Sequence, residues 1–118
     1  MVKGSCHCGA DSLELETPPA EVTECTCSIC RRYGVLWAYY RVEQVRISAA
    51  PGASEAYTWG KASIEFHRCR TCGCVSHWAA VGGGRERMGV NARLLPLEEL
   101  RSARLRHLDG AVTEEYLD

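Results

Sequence analysis

Eight cysteines in three short clusters constrain this chain of 118 residues more than any other feature. They form C-H-C at 6–8, C-T-C-S-I-C at 25–30 and C-R-T-C-G-C at 69–74. An even number suits a disulfide scaffold, but thiols at C-x-C spacing are too close to bridge each other easily. Local clusters of cysteine in a chain without an export signal are more typical of metal ligands. The clusters therefore predict metal sites instead of disulfides.

The balance of charged residues and the distribution of apolar residues indicate which binding partners and which cellular compartment to expect for this chain. The chain has 14 basic and 15 acidic residues, so it offers no electrostatic attraction for nucleic acid or an anionic membrane. It contains no apolar run near the roughly 20 residues that span a bilayer, and its N-terminus, MVKGSCHCGADS, lacks the apolar stretch of a secretory signal. A cytoplasmic protein with reduced thiols is the expectation. The sequence does not indicate an oligomeric state.

The third cluster contains C-x-x-C-G, a zinc-knuckle signature that supplies Cys69 and Cys72 as one ligand pair. A closed tetrahedral site needs a second pair, either from Cys6 and Cys8 or from two of the middle three cysteines. Counting favours the first choice, because it completes one four-thiolate site and ties the N-terminal segment to the middle of the chain.

Under that choice the middle cluster keeps three thiols, Cys25, Cys27 and Cys30. Three protein ligands and one open position are the pattern of a reactive zinc. The alternative is a second structural site whose fourth ligand is Cys74 or a histidine. We predict none of the four histidines as a ligand, because seven cysteines already account for both sites.

The remaining sequence predicts one mostly β domain over residues 1–118. A turn at Gly82–Gly84 separates two of the predicted strands. One short helix is predicted over 95–102, with Pro96 near its start. Alternating or β-rich runs predict strands at 11–17, 35–42, 45–49, 55–59, 63–69, 75–81, 86–94 and 105–109.

Five segments in fixed order resemble a known family. They are G-S-C-H-C-G-A (4–10), C-T-C-S-I-C-R-R-Y-G (25–34), F-H-R-C-R-T-C-G (66–73), V-N-A-R (90–93) and L-D-G (108–110). The sequence resembles the glutathione-dependent formaldehyde-activating enzyme family, which also includes centromere protein V. The resemblance implies the mostly β fold called the β-tent and two zinc ions. It assigns the structural zinc to Cys6, Cys8, Cys69 and Cys72, and the catalytic zinc to Cys25, Cys27 and Cys30.

Three thiolates donate strongly and leave the zinc unit with net negative charge, which weakens its ability to make hydroxide from water. Such a site favours sulfur chemistry over hydrolysis. The reaction implied by the family is the addition of glutathione, the expected co-substrate, to formaldehyde or a related aldehyde. It gives an S-hydroxymethyl adduct, and the reverse reaction defines a carbon–sulfur lyase. The alternative is a zinc-stabilised binding module without catalysis.

Two further features follow from the cysteine clusters. Arg31 and Arg32 come directly after Cys30 and are predicted to bind the carboxylates of glutathione, because a guanidinium grips a carboxylate with two parallel hydrogen bonds. Cys74 departs from the family pattern, which usually has a small or hydroxyl residue there. We expect Cys74 to be a spectator, with closure of the catalytic site as the alternative.

Overall fold

The computed structural model describes residues 1–118, and most of them lie in β-strands. Two α-helices of six residues each, α1 (Ser28–Tyr33) and α2 (Leu97–Ser102), interrupt the strands. Neither helix has the length or the apolar character needed to cross a membrane. The strands are β1 (Val2–Ser5), β2 (Asp11–Leu15), β3 (Glu21–Cys25), β4 (Trp37–Arg41), β5 (Val45–Ala49), β6 (Ser54–Tyr57), β7 (Ile64–Cys69), β8 (Val75–Ala80), β9 (Arg87–Asn91) and β10 (Arg104–Leu108).

The strands form two sheets. A three-stranded sheet has the order β1-β2-β5, and a seven-stranded sheet has the order β10-β3-β4-β9-β8-β7-β6. All pairs are antiparallel except β10 with β3, which places the last strand beside the end of β3, with Leu108 opposite Cys25. Because of this pairing, the C-terminal residues lie next to the middle cysteine cluster.

Two apolar clusters hold the sheets together. The larger is built from both sheets, with Leu13 and Leu15 of β2 packed among residues of β3, β4 and β9 such as Val90. The smaller contains Trp37 and Phe66 together with Cys25 and Cys30 and lies beneath α1. The middle cysteine cluster is therefore part of a packed core and is held by strands on both of its sides.

The predicted mostly β fold is confirmed, and each of the eight predicted runs overlaps an observed strand. The helix predicted over 95–102 is present as α2, and Gly82–Gly84 lie between β8 and β9 with positive φ angles. The structure adds β1, β3 and α1, which the sequence patterns did not predict. Helix α1 begins after Cys27, whose sulfur accepts the N–H of Cys30, and ends at Gly34 in the left-handed conformation.

Candidate metal centres and the adjoining cavity

The first and third cysteine clusters meet in space. Cys6 and Cys8 follow β1, Cys69 ends β7, and Cys72 lies in the turn after it. The four sulfur atoms all lie within 4.8 Å of one another. We call these four residues the four-thiol cluster; the structure thus brings together the two pairs that counting had selected.

The spacing of the four sulfurs fits a tetrahedral zinc ion. A zinc–sulfur bond of about 2.3 Å implies sulfur–sulfur separations of about 3.8 Å. The Sγ of Cys8 lies 3.7 Å from that of Cys6 and 3.5 Å from that of Cys69. The Asp11 N–H donates to the Cys6 sulfur at 3.3 Å. The backbone N–H groups of Cys74 and then Cys8 lower the pKa of Cys72 to about 5, so the thiolate form of this one ligand is favoured.

The middle cluster is assembled at the junction of β3 and α1. Cys25 ends the strand, Cys27 caps the helix and Cys30 lies in its first turn. Their sulfur atoms also lie within 4.8 Å of one another, and no other histidine, cysteine or carboxylate completes the group. We call these residues the three-thiol cluster. Its geometry has three protein donors, whereas the other cluster has four.

Hydrogen bonds from nitrogen reach each sulfur of the three-thiol cluster. The Trp37 indole donates to Cys30 at 3.2 Å, the Cys30 N–H to Cys27 at 3.4 Å, and the Cys27 N–H to Cys25 at 3.5 Å. Such donors partly neutralise thiolates and fix their orientation. Burial nevertheless raises the pKa of Cys30 and of Cys25. Three thiolates side by side, two of them buried, need a cation, and a soft divalent metal such as zinc fits this donor set.

Gly110 closes one side of the three-thiol cluster. A Cβ atom added at Gly110 would lie 2.5 Å from the Cys25 sulfur and 3.1 Å from the Cys27 Cβ. The backbone after β10 therefore approaches these two cysteines more closely than any side chain would allow. Gly110 belongs to the L-D-G segment, and no local pattern predicts its role, because only the parallel pairing of β10 with β3 brings it here.

The three-thiol cluster also lines a cavity of about 520 Å³, which we call the thiol cavity. Aromatic side chains form much of its wall, including Trp37, Phe66 and Trp78. Lys61 and Glu114 are the charged residues of its lining. All three cysteines of the cluster also line it. The arrangement therefore places sulfur ligands at the end of a mostly apolar space that is large enough for a small molecule.

The structure places Arg31 and Arg32 differently from each other. Arg31 lines a separate cavity of about 230 Å³ that also touches Cys25 and Cys30. Arg32 folds back along its helix, and its Nη1 donates to the Ser28 carbonyl at 2.8 Å. Neither arginine lines the thiol cavity. Lys61 does line the thiol cavity, but no local sequence pattern predicts this position.

Cys74 and the histidines lie away from the three-thiol cluster. The Cys74 thiol faces Cys72 and the backbone N–H of His7, so its neighbours belong to the four-thiol cluster. It is not the fourth member of the three-thiol group. His67 and His77 stack at 4.3 Å between ring centroids. Burial lowers the pKa of His77 to about 4, so this ring is neutral at physiological pH.

Fold and site together define a small, mostly β protein with two cysteine clusters that fit metal ions. The model of the family named glutathione-dependent formaldehyde-activating enzyme matches residues 1–102, and the chain belongs to this family. The resemblance noted in the sequence is thereby confirmed. The match ends before β10, so Gly110 and Glu114 lie outside the matched residues.

A solved structure supports the same fold. The crystal structure of a Rhodobacter sphaeroides protein, a Northeast Structural Genomics target, is 31% identical in sequence and has a TM-score of 0.70. The match covers 87% of this chain and 98% of that one. No curated protein is similar enough in sequence to count as a match. Family membership connects the chain with glutathione-dependent formaldehyde activation in general terms.

Proposed function

We propose that this protein catalyses the addition of glutathione, or a similar thiol, to formaldehyde or a related small aldehyde. A carbon–sulfur bond forms between the thiol sulfur and the carbonyl carbon, and the carbonyl oxygen takes up the proton as a hydroxyl group. The product is an S-hydroxymethyl adduct, and no oxidant or reductant is consumed. In reverse the same protein is a carbon–sulfur lyase.

One observation carries this proposal: the three-thiol cluster has three protein donors and opens directly into the thiol cavity. A site with three protein ligands leaves one position for a substrate atom. The four-thiol cluster has no such position, because its fourth donor is already a cysteine. We therefore assign catalysis to Cys25, Cys27 and Cys30.

Two zinc ions belong to this proposal. Cys25, Cys27 and Cys30 would hold the catalytic ion, which when bound supplies a soft Lewis acid for a thiol sulfur or an aldehyde oxygen. The second ion would have a purely structural role in a single domain of residues 1–118. Its ligands would be Cys6, Cys8, Cys69 and Cys72.

The chain's own residues prepare the site for sulfur chemistry. The Trp37 N–H and the backbone N–H groups hold the three sulfurs in place. Phe66 and Trp78 give the thiol cavity apolar walls beside these sulfurs. Arg31, in the small cavity beside Cys25 and Cys30, is placed to bind one carboxylate of glutathione. Arg32 would have to release the Ser28 carbonyl to do the same.

The test compares catalysed with spontaneous adduct formation. Exchange NMR on glutathione and formaldehyde at equilibrium measures the rate of interconversion directly. We expect the protein, carrying two zinc ions per chain by elemental analysis, to raise this rate in proportion to its concentration. The Cys27→Ser variant should return the rate to the spontaneous value, whereas Cys74→Ser should retain the activity.

A second result would assign the protein to the non-catalytic alternative. If the protein with both zinc ions leaves the exchange rate unchanged, the enzymatic assignment is wrong. In that case, glutathione-induced changes in the absorption of Co²⁺ at the three-thiol cluster would identify a binding module. Free zinc at the same total concentration is the necessary control, because the uncatalysed addition is itself easy.

A further inference from the structure

A second large cavity adjoins the thiol cavity. Its volume is about 720 Å³, and Tyr39 and Trp78 line both cavities. The two rings lie 6.4 Å apart between centroids and are tilted by 59°. These aromatic side chains form a shared wall, so the second cavity lies directly beside the thiol cavity.

The second cavity is lined by more positive than negative charge. Arg85, Arg87 and Arg106 face it, whereas Glu21 is its one acidic lining residue. Arg106 is already engaged, since its Nη1 lies 3.4 Å from Glu21 and its guanidinium lies 3.8 Å from the centre of the Tyr116 ring. We call this space the arginine cavity.

Arg85 and Arg87 have no carboxylate partner within ion-pair distance anywhere in the protein. Arg87 lies in β9 directly opposite Arg41 of β4, a like-charged pair across neighbouring strands. Such pairs are destabilising unless something compensates the charge. Arg41 is compensated by Glu43 at 2.8 Å, which leaves Arg87 and Arg85 as the free cationic groups of the cavity.

We propose that the arginine cavity binds a carboxylate of the thiol substrate while its sulfur lies at the three-thiol cluster. This inference rests on the proposed function and assigns to Arg85 and Arg87 the part of the substrate remote from the sulfur. A guanidinium pairs with a carboxylate through two parallel hydrogen bonds. In a peptide-like thiol, a carboxylate one or two residues from the sulfur lies up to about 7 Å away at ~3.5 Å per residue. The remote part of such a substrate can lie along Tyr39 and Trp78, which line both cavities.

The small cavity beside the three-thiol cluster and the arginine cavity then divide the two ends of the substrate between them. Arg31 lies in the small cavity next to Cys25 and Cys30, whereas Arg85 and Arg87 lie beyond the aromatic wall. Glutathione has two carboxylates at opposite ends of its chain, so one can be held on each side. Selection for a charged thiol over a neutral one is the expected consequence.

The experiment compares two double variants of equal charge change. Arg85→Gln/Arg87→Gln removes the two free guanidinium groups of the arginine cavity. Arg101→Gln/Arg104→Gln removes two exposed arginines that line neither cavity. Each protein is titrated with glutathione and with uncharged 2-mercaptoethanol, using the absorption of Co²⁺ bound at the cysteine clusters. Circular dichroism establishes that each variant is folded.

We expect the first double variant to bind glutathione about tenfold to a hundredfold more weakly and to bind 2-mercaptoethanol unchanged. The Arg101/Arg104 variant should match the unaltered protein with both thiols. Esterifying the glutathione carboxylates gives a second measurement: it should weaken binding to the unaltered protein more than binding to the first double variant, which has only the Arg31 contact left to lose.

The outcomes separate this inference from the proposed function. Equal glutathione affinity in the first double variant and the unaltered protein would overturn the carboxylate site and leave the addition reaction intact. An unaltered protein that binds 2-mercaptoethanol but not glutathione would overturn it as well. Absence of catalysis together with the predicted loss of glutathione affinity would reject the enzyme and support the carboxylate site.

Discussion

The two cysteine clusters differ in the number of residues that separate their ligands along the chain. The four-thiol cluster connects the first and third cysteine motifs, and Cys8 and Cys69 are 61 residues apart. The three-thiol cluster takes all its donors from Cys25 to Cys30. Closing a long loop removes more freedom from the unfolded chain than fixing six neighbouring residues. We therefore expect metal binding at the first cluster to contribute mainly to folding, and the second cluster to carry the proposed chemistry.

The surroundings of the clusters agree with this division. The three-thiol cluster lies at the end of a largely aromatic cavity, and its sulfurs receive N–H groups from Trp37 and the backbone. The thiols of the four-thiol cluster line neither the thiol cavity nor the arginine cavity. A small molecule in the thiol cavity can approach the three-thiol cluster. Neither the thiol cavity nor the arginine cavity gives it access to the four-thiol cluster.

The strongest test of this comparison replaces one ligand in each cluster. Cys69→Ser should abolish cooperative folding, because zinc at a structural site supplies about 10 kcal/mol or more of folding free energy. Cys27→Ser should remain folded, with a free energy of unfolding within about 1 kcal/mol of that of the unaltered protein, because serine also caps a helix. This variant should nevertheless lose one zinc ion. Thermal denaturation and elemental analysis measure both effects. Equal destabilisation by the two variants would remove the distinction between the clusters.

Chelation tests the same difference without substitutions. We expect a chelator to remove the zinc of the three-thiol cluster at least about tenfold faster than the other, a difference of ~1.4 kcal/mol in barrier. The circular dichroism spectrum should persist after the first ion has left and collapse only with the second. Release of both ions in one phase, together with unfolding, would contradict the expected order.

Gly110→Ala should disturb only the three-thiol cluster, because the added Cβ would meet the Cys25 sulfur at 2.5 Å. We expect its metal affinity to fall about tenfold to a hundredfold, as for other residues that support metal ligands. Competition with a chromogenic chelator measures the affinity. Val112→Ala, at an exposed position in the same segment, is the matched control and should leave it unchanged.

Cys74→Ser should have a smaller effect than any of these changes. The thiol faces Cys72 and His7 and belongs to neither ligand group. We expect both zinc ions to be retained and the free energy of unfolding to change by about 0.5 kcal/mol or less. Loss of one equivalent of zinc in this variant would show that Cys74 is a ligand.

The smallest expected effect concerns the segment that closes over the three-thiol cluster. His107 Nδ1 lies 2.9 Å from the Asp118 carboxylate, whose hydrogen bond raises the pKa of His107. The same bond lowers the pKa of Asp118. The histidine contribution is complete below its ordinary pKa of 6.5 and is lost as the pH rises through the raised value. The aspartate contribution is present above 3.8 and is lost as the pH falls through the lowered value.

Amide hydrogen exchange checks this pH dependence. Protection factors for residues 109–118, corrected for intrinsic exchange, should be higher near pH 6 than near pH 9, with Asp118→Asn abolishing the difference. Protection that is independent of pH in the unaltered protein would show that the ion pair does not hold the segment. The amides of β8 serve as the internal reference, since they lie in the interior of the large sheet.

Counting and spacing identified the cysteine groups that the structure brings together, because metal ligands must come in sets of fixed size. Alternation or an abundance of β-forming residues identified eight strands. Strands β1 and β3 lack a long alternating run, and α1 is too short for a helical period to be visible in a segment dominated by cysteine. The missed elements are therefore those with the weakest local patterns.

Local sequence patterns could not predict positions that depend on the pairing of distant strands. Gly110 reaches Cys25 only because β10 pairs in parallel with β3. Arg31 and Arg32 are neighbours in sequence, but the turn of the helix sends one toward a cavity and the other back to its own backbone. Both arginines are close to Cys30 in the sequence, and this closeness alone could not predict that Arg31, and not Arg32, lines the cavity beside the three-thiol cluster.

The pairing of β10 with β3 also has a consequence for biosynthesis. Thr26 donates its backbone N–H to Leu108, which is 82 residues further along the chain. At ~5–20 residues per second, a ribosome needs about 4 to 16 seconds to make that stretch. During this interval the middle thiols lack their final cover. A nascent chain therefore presents three uncovered sulfurs to cellular metals and oxidants before its last strand closes over them.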